Sequence, residues 1–282
     1  MSDYLMRDGA PLTEAEWESI DSTVVAVAKQ HLVGRRVLHI FGPLGAGIQS
    51  VPNERLAAPS PGAISFEGSE DAAIEVAGRD QTPLLVVHKD FCLNWRTLET
   101  SRQMGLPLDT GAAAAAAAVT ARAEDRLIFL GDQEAGVEGL LTAKGRRTLA
   151  LSDWSECGSA FDNLVNAVAV LSGAGYTPPY AAVLSPDLFA CLLRVYKDSD
   201  TLELTHAKEA LTGGVYECPV LGQKQGVVLA LGRQHFDLAV GQDLATAYLE
   251  SRNLNHYLRV METIALRIKD PGAICALTKG GK

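Results

Sequence analysis

The 282-residue sequence has no apolar run approaching the roughly 18 residues that a membrane-spanning helix needs, so no membrane partner is expected. Its start, MSDYLMRDGAP, lacks a basic stretch leading into an apolar one, and a cytoplasmic protein is the expectation. Excess basic charge is also missing. Lys and Arg number 25 against 34 Asp and Glu, a net charge of −9, and the only dense basic pairs are Arg35-Arg36 and Arg146-Arg147. Such a surface repels nucleic acid, which is not expected as a partner. The five cysteines (Cys92, Cys157, Cys191, Cys218 and Cys275) lie far apart, and C-x-x-C, C-x-x-C-H and H-E-x-x-H are all missing. Buried reduced thiols are expected in place of a metal or redox site. The six histidines are dispersed and form no ligand pair at helical spacing.

Catalytic motifs are equally scarce. There is no G-x-S-x-G nucleophile elbow. GPLGAG at 42–47 lacks the order of a phosphate loop or a dinucleotide fingerprint and reads as a tight turn. His88 and Cys92 fall on one face of an expected strand, but nothing near them in sequence supports a thiolate nucleophile. No cofactor, no metal and no enzymatic activity are expected. A structural role is.

What is present suits a well-filled globular chain: 47% hydrophobic and 21% charged residues. Trp17, Ile20, Val24, Val27 and His31 recur at steps of three and four, one apolar stripe of a helix. Thr13 with Glu16 is a capping box, placing the helix start near residue 13. A strand is expected in RRVLHIF. From Ile48 to Pro83 the chain carries several prolines, weak alternation and little bulk, and reads as a long β-hairpin arm lying on another surface. PLLVVHKDFCLNW reads as a buried strand, followed by a helix over RTLETSRQMG. A second α/β block includes a helix with Phe161, Leu164, Val168 and Leu171 on one face, the strand YAAVL, and a helix starting at Ser185-Pro186-Asp187. The strands GVVLALG, FDLAV, HYLRVMETIALRIK and AICAL follow.

DTGAAAAAAAVTARAED at 109–125 raises a separate question. Alanine is the best helix former but offers almost no bulk to bury. The helix expected to run to Gly131, about 30 Å long at 1.5 Å per residue, is therefore a tether or a site of close approach.

APLTEAEWESID, LVGRRVL, GPLGAG, KDFCLNWRTLE, AEDRLIFLGD, GLLTAKGR, PYAAVLSPDLF, VGQDLATAYL and LRIKDPGAICAL occur in this order along nearly the whole chain. In these stretches the sequence resembles the encapsulin shell proteins (family 1, linocin-like), most of all their myxobacterial branch. The resemblance implies an α+β protein with the tailed-phage major capsid protein fold. The implied parts are an N-terminal helix and the start of the peripheral domain at 1–47, an extended arm (E-loop) at 48–82, the peripheral domain with its spine helix at 83–147, an axial domain at 148–245, and a return strand and C-terminal strand at 246–282. Many copies of the chain would close into an icosahedral compartment around a cargo protein that carries a short targeting peptide. In this branch the cargo is ferritin-like, for iron storage and protection from oxidative stress. The alternatives weighed are a prophage major capsid protein and a soluble α/β enzyme with an unrecognised site. A helix starting near residue 13 leaves no room for a long scaffolding segment, which favours the cellular compartment.

Three sets of residues follow from this resemblance. Ala115 and Ala116 are expected at a close-packed face of the spine helix. Ala28, His31 and Arg35 are expected to face the interior and hold the cargo peptide. Lys197, Asp198, Ser199 and Asp200 are expected to rim a pore at the five-fold axes.

Overall fold

The computed structural model describes residues 4–57, 62–68, 73–196 and 199–279. The Thr13 hydroxyl accepts from the Glu16 N–H, and the Glu16 carboxylate accepts from the Thr13 N–H at 2.7 Å. This box opens α1 (Glu14–His31), which buries Trp17, Ile20, Val24 and Ala28. The chain then makes a 3₁₀ turn at Gly34–Arg36, so the strand expected in RRVLHIF shrinks to β1 (His39–Phe41). The arm is a two-stranded hairpin of β2 (Ser50–Leu56) and β3 (Val76–Pro83). It runs directly into β4 (Leu85–Leu93), which buries Val87, Phe91 and Leu93 on one face; the strand is half-buried, not fully buried as its apolar start implied. Then come α2 (Trp95–Met104), α3 (Gly111–Leu130), the short pair β5 (Gly131–Asp132) and β6 (Val137–Glu138), and β7 (Arg147–Leu151). The second half holds α4 (Ser159–Gly173), β8 (Tyr180–Leu184), α5 (Pro186–Cys191), α6 (Glu203–Ala210), β9 (Gly214–Glu217) and β10 (Gly226–Ala230). It ends with β11 (Phe236–Val240), β12 (Ala245–Arg252), β13 (Asn255–Ile268) and β14 (Ile274–Lys279).

Two sheets organise these elements. In the first, the long β13 carries β4 along one edge and β11 and β12 in succession along the other, with β1 parallel to β11. The second runs β7-β14-β10-β8-β9. The chain therefore crosses between the sheets at 231–235 and again at 269–273. This differs from a division at residue 245. FDLAV belongs to the first sheet, and the C-terminal strand sits inside the second, between β7 and β10. Ile274, Cys275, Ala276 and Leu277 are buried, which requires neighbours on both sides. Sequence adjacency hides both exchanges.

The alanine helix α3 lies against α1 and across β4 and β13. Its inward face is Ala113, Ala116, Ala117, Thr120 and Ala121, all buried. Ala116 is buried on this face. Ala115 is exposed in the single chain, because it lies one position away from the 113/116/117/120 face. Small side chains here let two helices and a sheet approach where larger ones would collide.

Candidate functional site

Three regions stand out: a joint at the end of α1, a groove on the face of α1 turned away from the body, and two projections, the arm and the 195–202 loop.

The joint is built on Arg35. Its Nε donates to Glu124 Oε1 at 2.9 Å and Oε2 at 3.1 Å, Nη1 to Asp243 Oδ1 at 2.8 Å, and Nη2 to Glu262 Oε2 at 2.6 Å. Glu124 comes from α3, Glu262 from the middle of β13, and Asp243 from the turn before β12. Both glutamates are fully buried. Burial pushes Glu262 well above the ordinary carboxylate range, the Glu124 carboxylate adds to this, and Arg35 opposes it. Next to Glu124, Asp125 accepts from the backbone N–H groups of Val33 and Gly34; burial raises it to about 7 against those hydrogen bonds.

The residues expected at the interior site are placed as follows. Ala28 is buried in a small cluster with Leu32 and Ala121. Arg35 is engaged by three carboxylates. His31 and Arg35 are both half-buried. The turn at Gly34–Arg36 redirects the chain into the body as soon as α1 ends. Glu124, Asp125, Asp243 and Glu262 escaped sequence reading. The available signal was a pair of acids inside the apolar AEDRLIFL and a lone acid inside METIAL, each a buried charge in need of a partner.

The face of α1 turned away from the body is open. A shallow groove of about 860 Å³ is lined by Arg7, Glu14, Trp17, Asp21, Val25 and Lys29, among others. Arg7 lies 4.0 Å from the centre of the Trp17 ring and pairs with Asp21 at 2.6 Å, so the N-terminal turn forms one wall. Val25 is exposed on its floor.

At its root the arm is anchored to the body. Val51 is buried, Asn53 Nδ2 donates to the Ile268 carbonyl at 3.1 Å, and Arg267 Nη1 donates to the Pro52 carbonyl at 3.0 Å. Farther out, Leu56, Ile64, Phe66, Ile74 and Val76 are exposed, Phe66 completely at 109%. Leu56 and Val76 end the two strands and the other three lie in the segment between them, so the far end of the arm leaves apolar side chains uncovered in the single chain.

The loop after α5 is tied at its base by pairing of Val195 with Leu202 and by the Tyr196 N–H donating to the Thr201 carbonyl at 2.8 Å. The Ser199 hydroxyl lies 3.0 Å from the Thr201 hydroxyl, which lies 2.8 Å from His206 Nε2. Asp200 is exposed. Lys197 and Asp198 lie outside the described residues. Among the described residues no cluster of His, Cys, Asp and Glu is placed to hold a metal ion, and no helix is long and apolar enough to cross a membrane.

The family model described as "Linocin_M18: Encapsulating protein for peroxidase" matches residues 1–265. The chain is 44% identical over 282 residues to the type 1 encapsulin shell protein EncA of Myxococcus xanthus, covering all of this chain and 98% of that one. It is 41% identical to a diheme-cytochrome-encapsulin shell fusion protein of Kuenenia stuttgartiensis, over 94% of this chain and 73% of the fusion. It is 25% identical to a ferritin-like-encapsulin shell fusion protein of Pyrococcus furiosus, over 76% of this chain and 57% of that one. Among solved structures, a virus-like particle from Pyrococcus furiosus superposes with a TM-score of 0.75 at 21% identity, over 93% of this chain and 99% of that one. The capsid of the Myoviridae phage XM1 follows at 0.62 and 15%, over 85% and 89%. The phage likeness shows a shared fold, whereas the sequence relatives are shell proteins and not enzymes. The chain belongs to the encapsulin shell-protein family and builds a capsid-like compartment on the tailed-phage capsid fold.

Proposed function

We propose that the compartment is a cytoplasmic icosahedral shell that encloses a ferritin-like cargo and serves iron storage and protection from oxidative stress. The observation that carries the cargo reading is the open groove on α1. It offers exposed apolar Val25, with Arg7 and Lys29 of one sign and Glu14, Glu18 and Asp21 of the other around it. An extended peptide with one or two apolar anchors fits such a surface, and charged walls fix its register. The resemblance implies that this helix faces the interior. The fusion relatives support a cargo of ferritin-like or haem-protein class, the partners their names carry.

The test is co-expression of the chain with a ferritin-like protein ending in its targeting peptide, and separately with a diheme cytochrome. Wild-type shells should retain the ferritin-like protein through size exclusion. Val25→Glu should give shells of unchanged size that emerge empty. Equal loading of the Val25→Glu shells would remove the groove as the docking site. Retention of the cytochrome alone would change the cargo class.

A further inference from the structure

Arg35 offers one positive charge to two fully buried glutamates and to the half-exposed Asp243. Glu124 takes the Nε side with both its oxygens, and Glu262 takes Nη2 with one. Glu262 Oε1 is buried and has no hydrogen-bond partner. Two buried carboxylates against a single buried guanidinium leave one uncompensated negative charge, and Asp125, next to Glu124 in sequence, adds to the same field. An unpaired charge out of water is far costlier than a proton taken up from solvent. Carboxylates that share a site resolve this by holding one proton between them.

We infer that Glu124 and Glu262 share one proton, and that this proton locks the seam where the end of α1, the spine helix and β13 meet. The acid form is placed on Glu262, whose otherwise unpartnered Oε1 carries the hydrogen and donates it to the Glu124 carboxylate. With Glu262 neutral, the one guanidinium faces a single buried carboxylate, and Asp243 pairs with it from the solvent side. The groups facing Glu262 are Glu124 from α3, Arg35 from the 3₁₀ turn and Asp243 from the turn before β12. Asp125 and Arg36 lie on the far side of Glu124. Among the described residues Arg35 is the one cation paired with Glu124 or Glu262. Losing the proton leaves like charges in the seam and loosens the hold of the body on the turn that positions α1. Because the same seam recurs in every subunit, a local proton loss is repeated throughout the shell.

The pH dependence has one sign. Unfolded Glu262 ionises near its ordinary 4.5, whereas the folded group keeps its proton to higher pH. Stability therefore falls as pH rises from the carboxylate range to the raised folded value. Glu262→Gln copies the protonated form, with an amide in place of the acid hydroxyl.

The experiment is thermal unfolding of assembled shells between pH 5 and pH 9, wild type against Glu262→Gln. The wild-type midpoint should fall with rising pH by several degrees more than that of the variant, so that the gap between them changes with pH. A gap that stays constant across the range overturns the shared proton. If Glu262→Gln yields no shells, the infrared carbonyl band of a buried carboxylic acid in Asp125→Asn shells decides, because that variant removes the neighbouring buried acid whose value is also raised. The band at neutral pH, shifted in deuterated water and lost at high pH, upholds the assignment, and its absence refutes it.

Discussion

Asp125 Oδ1 accepts from the Gly34 N–H at 2.7 Å, and the Val33 N–H adds bonds of 3.1 and 3.0 Å to the two carboxylate oxygens. One carboxylate on the spine helix thus satisfies two consecutive donors just beyond the end of α1. The approach is so close that a Cβ on Gly34 would meet Ile128 Cδ1 at 2.5 Å and Asp125 Oδ1 at 3.2 Å. Ile128 is fully buried and has little room to withdraw. Gly34→Ala is therefore expected to cost about 1–3 kcal/mol by overpacking. Urea unfolding of the variant, compared with Ala at exposed Gly47, where an added Cβ meets nothing within 4 Å, reads this directly.

Asp125 also sets a second pH dependence. Its carboxyl ionises at the ordinary 3.8 in the unfolded chain and at about 7 in the fold, where burial outweighs the two backbone donors. Between these values the folded state keeps a proton that the unfolded state has lost, so stability declines as pH rises through that window and the loss is complete above it. Asp125→Asn should be more weakly pH-dependent than wild type between pH 3.8 and about 7 and should run parallel to it above. Parallel curves throughout would mean that the buried carboxyl is ionised over the whole range.

The spine helix separates two neighbouring alanines. Ala116→Leu pushes four-carbon bulk into the face held by α1 and the first sheet and should cost about 1–3 kcal/mol. Ala115→Leu points outward in the single chain and should change subunit stability by no more than about 0.5 kcal/mol. A loss of shell assembly in Ala115→Leu with an unchanged unfolding curve would mark that side as an interface between subunits.

Much of this architecture was readable in the sequence because each local signal agreed with its neighbours. The Thr13–Glu16 box, the 17/20/24 stripe, the poor core of the arm and the apolar run of β14 all lead to elements that form. What was unreadable is long-range. Nothing local places FDLAV beside HIF in parallel register, since the pairing joins residues nearly 200 apart. Arg35 likewise reads as a helix-end cation open to solvent, and only the fold brings Glu124, Asp243 and Glu262 around it. The alanine run gave the opposite difficulty: its helix was plain, but seven identical residues carry no pattern to say which face turns inward.

Arg35→Glu tests the joint as a whole. It replaces the one cation by a further carboxylate beside Glu124, Glu262 and Asp243. Breaking a buried ion pair costs about 3–5 kcal/mol, a large fraction of the 5–15 kcal/mol that holds a typical domain. The expected result is loss of soluble subunit and of shells together, seen by yield and size exclusion. Normal empty shells that fail only to load cargo would instead give Arg35 a direct role in peptide binding.

Shortening the arm tests whether it is an assembly surface. Val51, Pro52 and Asn53 anchor the root, so replacing residues 56–76 by a tight turn keeps those contacts and removes the exposed Leu56, Ile64, Phe66, Ile74 and Val76. The subunit should remain folded, with a far-ultraviolet spectrum and unfolding midpoint close to wild type, yet elute as free subunits or small oligomers. Complete shells from the shortened chain would show that the arm is dispensable for closure.

The last prediction concerns the 195–202 loop, which we take to rim the five-fold pore. Its base is fixed by the Val195–Leu202 pairing and by the chain of hydroxyls from Ser199 through Thr201 to His206. A fixed base presents exposed Asp200 at a reproducible position in every copy. Five copies around an axis would ring the opening with carboxylates, and a constricted ring of one sign concentrates counter-ions at its mouth. Ferrous iron, small and doubly charged, responds to such a field more strongly than a monovalent cation does. Asp200→Asn in shells loaded with a ferritin-like cargo should therefore slow ferrous oxidation at low ionic strength. The difference from wild type should shrink near physiological salt, where the screening length is about 8 Å. Unloaded cargo with no shell around it gives the control rate, which the substitution cannot touch. Equal rates for wild-type and Asp200→Asn shells at low salt would show that iron entry does not pass this ring.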